Sequence, residues 1–435
     1  MELRIQILLN VEDLDTVKSL VFASPEYHQA YLTIRHYILS MYLQKSYNGL
    51  VDTKDAVAAI RTRGMYAIYP SNRQSIIALL DAWRRCDEIR HLNLSDDPKI
   101  LPDRPANVTE VIQLLHLHKS AMFFLEDYCT HAECPQWMES TKWHNEIMPL
   151  QLSRTEKRRF LRAFYRLQIY GNIFGDIDIP LDGQRPEKEN VWLGSNWDRT
   201  NYTFSDVEFW RLMMAPMAPW EVEELGCFWQ HCFNRLAKPY HEIANSLLEC
   251  ETRYQTSFIN ELPTHEQPPF ERYYFDTQDL SVQDEDIRDS IISMGPSLLV
   301  KVLREADFMT RRNLVLVNSI GNEHVFPHIW HFNLNPRLDS LPLLYPADKF
   351  NFGTDFAGLE RFLDSLPEHE RPNTLWRQRW VSNQRILDYP EVFGDMFDYA
   401  CRHARWDWGY AFWDDERVVQ WEIPNMEERF PGNCP

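Results

Sequence analysis

Apolar residues recur with the helical period along most of this chain, and no long two-residue alternation of the β type is present. At the start, Leu3, Ile7 and Leu8 fall at i, i+4 and i+5, the spacing that gives a short helix one apolar edge. Asp13 is placed to cap a second helix, in which Leu14, Val17, Leu20 and Val21 repeat at i, i+3, i+6 and i+7. Ser24 and Pro25 open a third, the proline standing where its missing N–H costs nothing, and Tyr27, Ala30 and Tyr31 supply its apolar face.

The same period predicts helices over 51–63, with Val57 and Ile60 inward, and over 71–89, with Ile76, Leu79, Leu80 and Trp83 on one face. After a loop rich in Asp and Pro at 96–105, a long helix is predicted over 107–128 with Val111, Leu114, Leu115, His118, Met122 and Leu125 in its stripe. The stretch 153–175 carries the clearest signals. Ser153 and Glu156 form a capping box, Phe160, Phe164, Leu167 and Phe174 make the stripe, and Gly175 can end it. A helix over 219–236 opens on proline, holds Glu221, Glu223 and Glu224 at its positive end and buries Leu225, Phe228, Cys232 and Leu236. Prolines, acids and polar residues without a period mark 252–286 as a linker. Beyond it, a helix over 287–306 bends near Pro296, another spans 355–366, and 314–317 is the one plausible short strand. No internal repeat of fixed period argues for a solenoid.

Three short amphipathic pieces at the N-terminus cannot bury much surface alone, so they should pack on each other and leave an apolar face for a partner. Their order of signals, Glu2-Leu3, Ile7-Leu8, Asp13-Leu14, Val17, Leu20, Ala23-Ser24, Tyr27 and Tyr31, resembles the F-box. That resemblance covers under a tenth of the chain. It implies docking on the Skp-type adaptor of a cullin-RING ubiquitin ligase through Leu3, Ile7, Leu8, Leu14, Val17 and Leu20, with the rest of the chain holding a protein substrate. F-box modules usually open with a Leu-Pro pair before the Glu-Leu, and Met1 stands where the proline belongs. The departure implies either a coding start placed too late or a module that has lost docking ability. The central helices and the closing Trp408-Gly409-Tyr410-Ala411-Phe412-Trp413-Asp414 segment also resemble a large group of uncharacterised fungal, ascomycete-type proteins, some with an N-terminal F-box. That second likeness brings no activity with it.

Length and composition then narrow the classes. A chain of 435 residues with 44% hydrophobic and 13% aromatic content can bury large cores in two or three domains. A formal net charge of −19 works against a phosphate backbone as partner, so nucleic acid is not expected. No signal peptide or bilayer-spanning apolar run is found, which predicts a cytoplasmic or nuclear protein with no membrane partner. The eight cysteines, Cys86, Cys129, Cys134, Cys227, Cys232, Cys250, Cys401 and Cys434, read as reduced thiols filling core space.

Four constellations could carry chemistry. His324, His328 and His331 have a zinc-like spacing, but Pro327 breaks the helix that would align them, so they read first as histidines packed beside Phe326, Trp330 and Phe332. Cys129, His131, Cys134 and His144 form one loose cluster where a structural zinc site normally needs two, and read as a core pair at a helix end. Lys157, Arg158, Arg159, Arg162 and Arg166 read as a solvated basic face paired with surplus acids. Their sharper reading is phosphate or substrate binding by Arg159, Arg162 and Arg166, because arginines at i and i+4 can hold a phosphate by bidentate bonds. Trp406, Trp408, Tyr410, Phe412 and Trp413, interleaved with Asp407, Asp414 and Asp415, read as a core seal and second as a peptide- or cation-binding surface.

The chain shows no Walker-type loop, dinucleotide fingerprint, nucleophile elbow or His-Glu-x-x-His. It has only fourteen glycines for the phosphate-cradling turns that α/β enzymes use. A non-enzymatic protein without cofactor is therefore expected. Its fold class is mainly α: an F-box-like module over 1–40, a central helical domain over 41–251, the linker at 252–286, and a C-terminal helical portion over 287–435 packing on the centre. The function expected is protein–protein interaction as a ligase substrate receptor. The alternatives are a helical scaffold with a degenerate F-box and, third, a metal-dependent enzyme.

Overall fold

The computed structural model describes residues 1–83, 104–135, 137–175, 178, 204–256, 261–267, 284–319, 345, 356–378 and 406–423. Among them every regular element is helical, so the fold is mainly α. The first helices are α1 (Glu2–Asn10), α2 (Leu14–Ala23), α3 (Pro25–Tyr47), α4 (Thr53–Arg61) and α5 (Arg73–Trp83). Two long helices follow, α6 (Val108–His131) and α7 (Arg154–Ile173), and then the 36-residue α8 (Pro219–Tyr254). The longer helices beyond it are α9 (Asp284–Ser293), α10 (Pro296–Arg304), α11 (Phe308–Ser319) and α12 (Phe356–Ser365).

The helix starts follow their caps. Asp13 accepts the Thr16 N–H at 2.7 Å, Asp52 the Lys54 N–H at 2.9 Å and Asn107 the Glu110 N–H at 3.0 Å. At α7 the capping box is complete: Ser153 Oγ accepts the Glu156 N–H at 3.1 Å, and Glu156 accepts the Ser153 N–H at 2.9 Å.

α7 lies at the centre, packed against α4, α6, α8, α9 and α10. All of its residues over 159–171 are buried, as are those of α8 over 219–233. Helices buried all round normally carry apolar residues all round. These two instead carry arginines and glutamates, which must therefore meet inside. Two glycines let the layers close. A Cβ on Gly171 of α7 would sit 2.7 Å from the backbone of Gly295, and one on Gly226 of α8 would sit 2.3 Å from the Trp406 ring.

Three elements depart from the pattern read along the sequence. Residues 314–317 are not a strand but part of α11, started by Asp307, whose carboxylate accepts the Thr310 N–H at 2.7 Å. Leu314, Val315, Leu316 and Val317 are all buried, and a fully buried helical segment produces the same unbroken apolar run as a buried strand. α8 continues beyond 236 and through Pro239, because Tyr240, Ile243, Leu247 and Cys250 carry its buried stripe another three turns. Packing of that stripe offsets the hydrogen bond that proline removes. The bend expected near Pro296 is a break between α9 and α10, made by Gly295 at φ +95°. α3 runs unbroken through residue 40 and packs against α1, α2 and α6.

Candidate functional site

α1 lies alongside α3 and parallel to it. Arg4 donates to Glu26 at 2.9 Å near the start of both, while Tyr42 Oη donates to the Val11 carbonyl at 2.5 Å and Lys45 Nζ to the Glu12 carbonyl at 2.8 Å near the far end. α2 runs back and joins α3 through Ser24 alone. The start of α1, the end of α2 and the start of α3 therefore meet at one tip. Leu3 is 75% exposed there and Phe22 is 79% exposed, with Met1 beside them and Ile7 one turn further along. Leu32 and Tyr37 stand exposed on α3. Among the described residues these account for six of the eight large hydrophobic side chains left exposed, the others being Met309 and Val419. Single exposed apolar residues are ordinary, whereas here six fall on one small module.

The six residues expected to meet an adaptor divide. Leu3 and Ile7 are exposed, Leu14 and Leu20 are half-buried, and Leu8 and Val17 are wholly inside. The expectation is corrected for Leu8 and Val17, which fill the space between α1, α2 and α3 and have no surface to offer. Phe22, Leu32 and Tyr37 were missed because periodicity selects the inward stripe. An apolar residue lying off that stripe is the signal that finds them.

The basic stripe of α7 is not a solvated face. Arg162 donates to Glu224 at 2.8 and 2.5 Å and lies 3.0 Å from Glu221; Arg166 donates to Glu221 at 2.6 Å and to Asp55 at 3.2 Å. Arg159 donates to the carbonyls of Phe412, Trp413 and Arg371 at 3.1, 2.8 and 3.1 Å, and to Asp414 at 3.0 Å. All three arginines are buried, so the phosphate-binding role expected of them has no access to a ligand. Burial alone would lower the Arg162 pKa, but the Glu224 and Glu221 carboxylates outweigh it and hold it above the ordinary value. The network ties α7 to α4, to α8 and to the C-terminal segment at once.

That segment is core. Trp406, Trp408, Tyr410, Phe412 and Trp413 are buried; Trp406 Nε1 donates to Glu223 at 2.5 Å and Trp413 Nε1 to the Trp408 carbonyl at 3.1 Å. A second polar node lies under α6. Asp127 accepts from His231 Nε2 at 3.1 Å and from Arg235 at 2.7 and 2.9 Å, and these partners outweigh burial to bring its pKa down to about 2.

His131 turns its Nδ1 to Asp127, 3.2 Å away, and the Cys134 thiol faces the Pro135 and Met138 carbonyls, both at 3.6 Å. The zinc reading set aside for Cys129, His131, Cys134 and His144 finds no support in this arrangement. Among the described residues no group of three His, Cys, Asp or Glu is placed to hold a metal ion. His324, His328 and His331 lie outside the described residues. The five described cysteines are free thiols. No described helix is long and apolar enough to cross a membrane.

No protein-family model, curated protein or solved structure matches this chain.

Proposed function

We propose that the N-terminal helices dock the chain onto a Skp-type adaptor of a cullin-RING ubiquitin ligase, while the helical body carries a protein substrate for ubiquitin transfer. The observation supporting this is the apolar tip: Met1, Leu3, Ile7 and Phe22 stay in water although the α1–α3 core beneath them is already closed by Leu8, Val17 and Ala30. Exposed apolar area of this kind gains free energy only when a second protein covers it, at about 25 cal/mol per Å². The deciding experiment is capture of the intact chain by purified Skp-type adaptor. Leu3→Asp combined with Phe22→Asp should abolish capture without changing the helical signal in circular dichroism. Equal capture of the two forms sinks the docking claim. A form extended upstream by Leu-Pro tests whether that pair adds affinity.

A second reading is a helical scaffold that binds other proteins outside any ligase. The shared helix α3 favours it, because the module is continuous with the body and packs on α6. Binding of proteins other than the adaptor through the same tip distinguishes it.

A further inference from the structure

Four of the five arginines on α7 have acceptors: Arg154 donates to the Asn48 carbonyl at 2.5 Å, and Arg159, Arg162 and Arg166 are bound inside. Arg158 has no hydrogen bond or ion pair among the described residues, although it is half-buried. A partly desolvated guanidinium without an acceptor is unfavourable and attracts an anion. Arg154 sits one turn before it on the same side of the helix. Across from them the short turn Glu368–Glu370 packs on α7, held by the bond from Arg159 to the Arg371 carbonyl at 3.1 Å.

This turn carries His369, 34% exposed at its side chain, with Nε2 at 3.7 Å from Glu370. Three acids are close, Asp52 and Glu370 to Arg158, and Glu370 with Glu368 to His369. Asp52 is occupied in part by capping α4, where it accepts the Lys54 N–H, and Glu370 lies toward His369. Burial, with the Arg162 and Arg154 guanidinium groups beside it, lowers the Arg158 pKa against Asp52 and Glu370, which raise it. Burial and then Arg158 likewise lower the pKa of His369.

We propose that Arg158, Arg154 and His369 form a binding site for a phosphoryl group, either free phosphate or a phosphate ester on a peptide. Two guanidinium groups one turn apart supply paired N–H donors to two oxygens, and the imidazole supplies a third contact. The site differs from the arginines that periodicity selects, and it stands independently of adaptor docking.

The test is calorimetric titration of the intact chain at low salt with inorganic phosphate, a phosphoserine peptide and the same peptide unphosphorylated. Saturable phosphate binding is expected, weakened about tenfold by Arg158→Gln and unchanged by Arg253→Gln at the exposed end of α8. Because Arg158 holds no bond to the protein, its replacement should leave the melting temperature unchanged. Phosphate should also raise the His369 pKa followed by NMR, and should not do so in Arg158→Gln. Tighter binding of the phosphopeptide than of free phosphate assigns the site to a phosphorylated segment, and equal binding assigns it to the small anion. Absence of saturable binding by the native chain, or equal binding by Arg158→Gln, overturns the proposal.

Discussion

The N-terminal helices and the α7–α8 layer invert the usual placement of side chains in opposite ways. At the tip of α1 and α2, Leu3 and Phe22 stand in water. At the centre, Arg162, Arg166, Glu221 and Glu224 are buried among tryptophans and phenylalanines. The first arrangement leaves apolar area in water that burial would favour removing. The second accepts a desolvation penalty of several kcal/mol per charge, offset only by close pairing. Paired charges inside a helix layer fix which face meets which, since a rotated α7 would leave several guanidinium groups without acceptors. The contrast places register in the charges of the centre, and under the function proposed above it leaves association to the apolar tip.

The largest effect should follow from breaking the centre. Arg166→Ala leaves Asp55 and Glu221 with less compensation and should destabilise by about 3 to 5 kcal/mol in urea unfolding. A loss below about 1 kcal/mol would show that water or relaxation replaces the pairing. Nearly as large is a pH effect beside the same layer. Burial lowers the His118 pKa to about 4 from an ordinary 6.5, against the Ser46 backbone, which raises it. The stability this contributes is present above pH 6.5 and is lost as pH falls through about 4, amounting to about 3 kcal/mol. His118→Phe should flatten the unfolding free energy across that window, and an unchanged slope would exclude His118 as its source.

Gly226→Ala comes next. The added methyl meets the Trp406 ring and should destabilise by about 1 to 3 kcal/mol by overpacking, measured by thermal unfolding. The smallest effect sharpens the comparison from the other side. Leu3→Asp and Phe22→Asp should each change stability by less than about 0.5 kcal/mol, whereas Leu8→Ala should cost about 2 to 5 kcal/mol. If Phe22→Asp proved as damaging as Leu8→Ala, the tip would belong to the core and its reading as a docking surface would fail.

Much of the architecture was legible beforehand. The Ser153–Glu156 capping box, the Asp13 cap and the stripes of α4, α6 and α7 all rest on neighbours within one helical turn, and local hydrogen bonds and periodicity express them directly. The aromatic cluster around Trp406 also reads correctly as core, because so much apolar area is seldom left in water. The candidate sites were less legible. Leu3 and Leu8 share one apolar edge in sequence and separate only when α3 covers one of them.

What the residue order determined by itself was therefore the set of helices, their caps and the inward side of each, since these depend on contacts three or four positions apart. The tertiary structure alone decided whether a charge is solvated. Arg162 and Arg166 meet Glu224, Glu221 and Asp55 across 55 to 111 positions of chain, and Arg159 reaches Asp414 across 255, distances over which periodicity carries no information. The same folding leaves Arg158 alone among the arginines of that helix without an acceptor among the described residues. One position along α7 separates an arginine bound within the core from one that faces the surface.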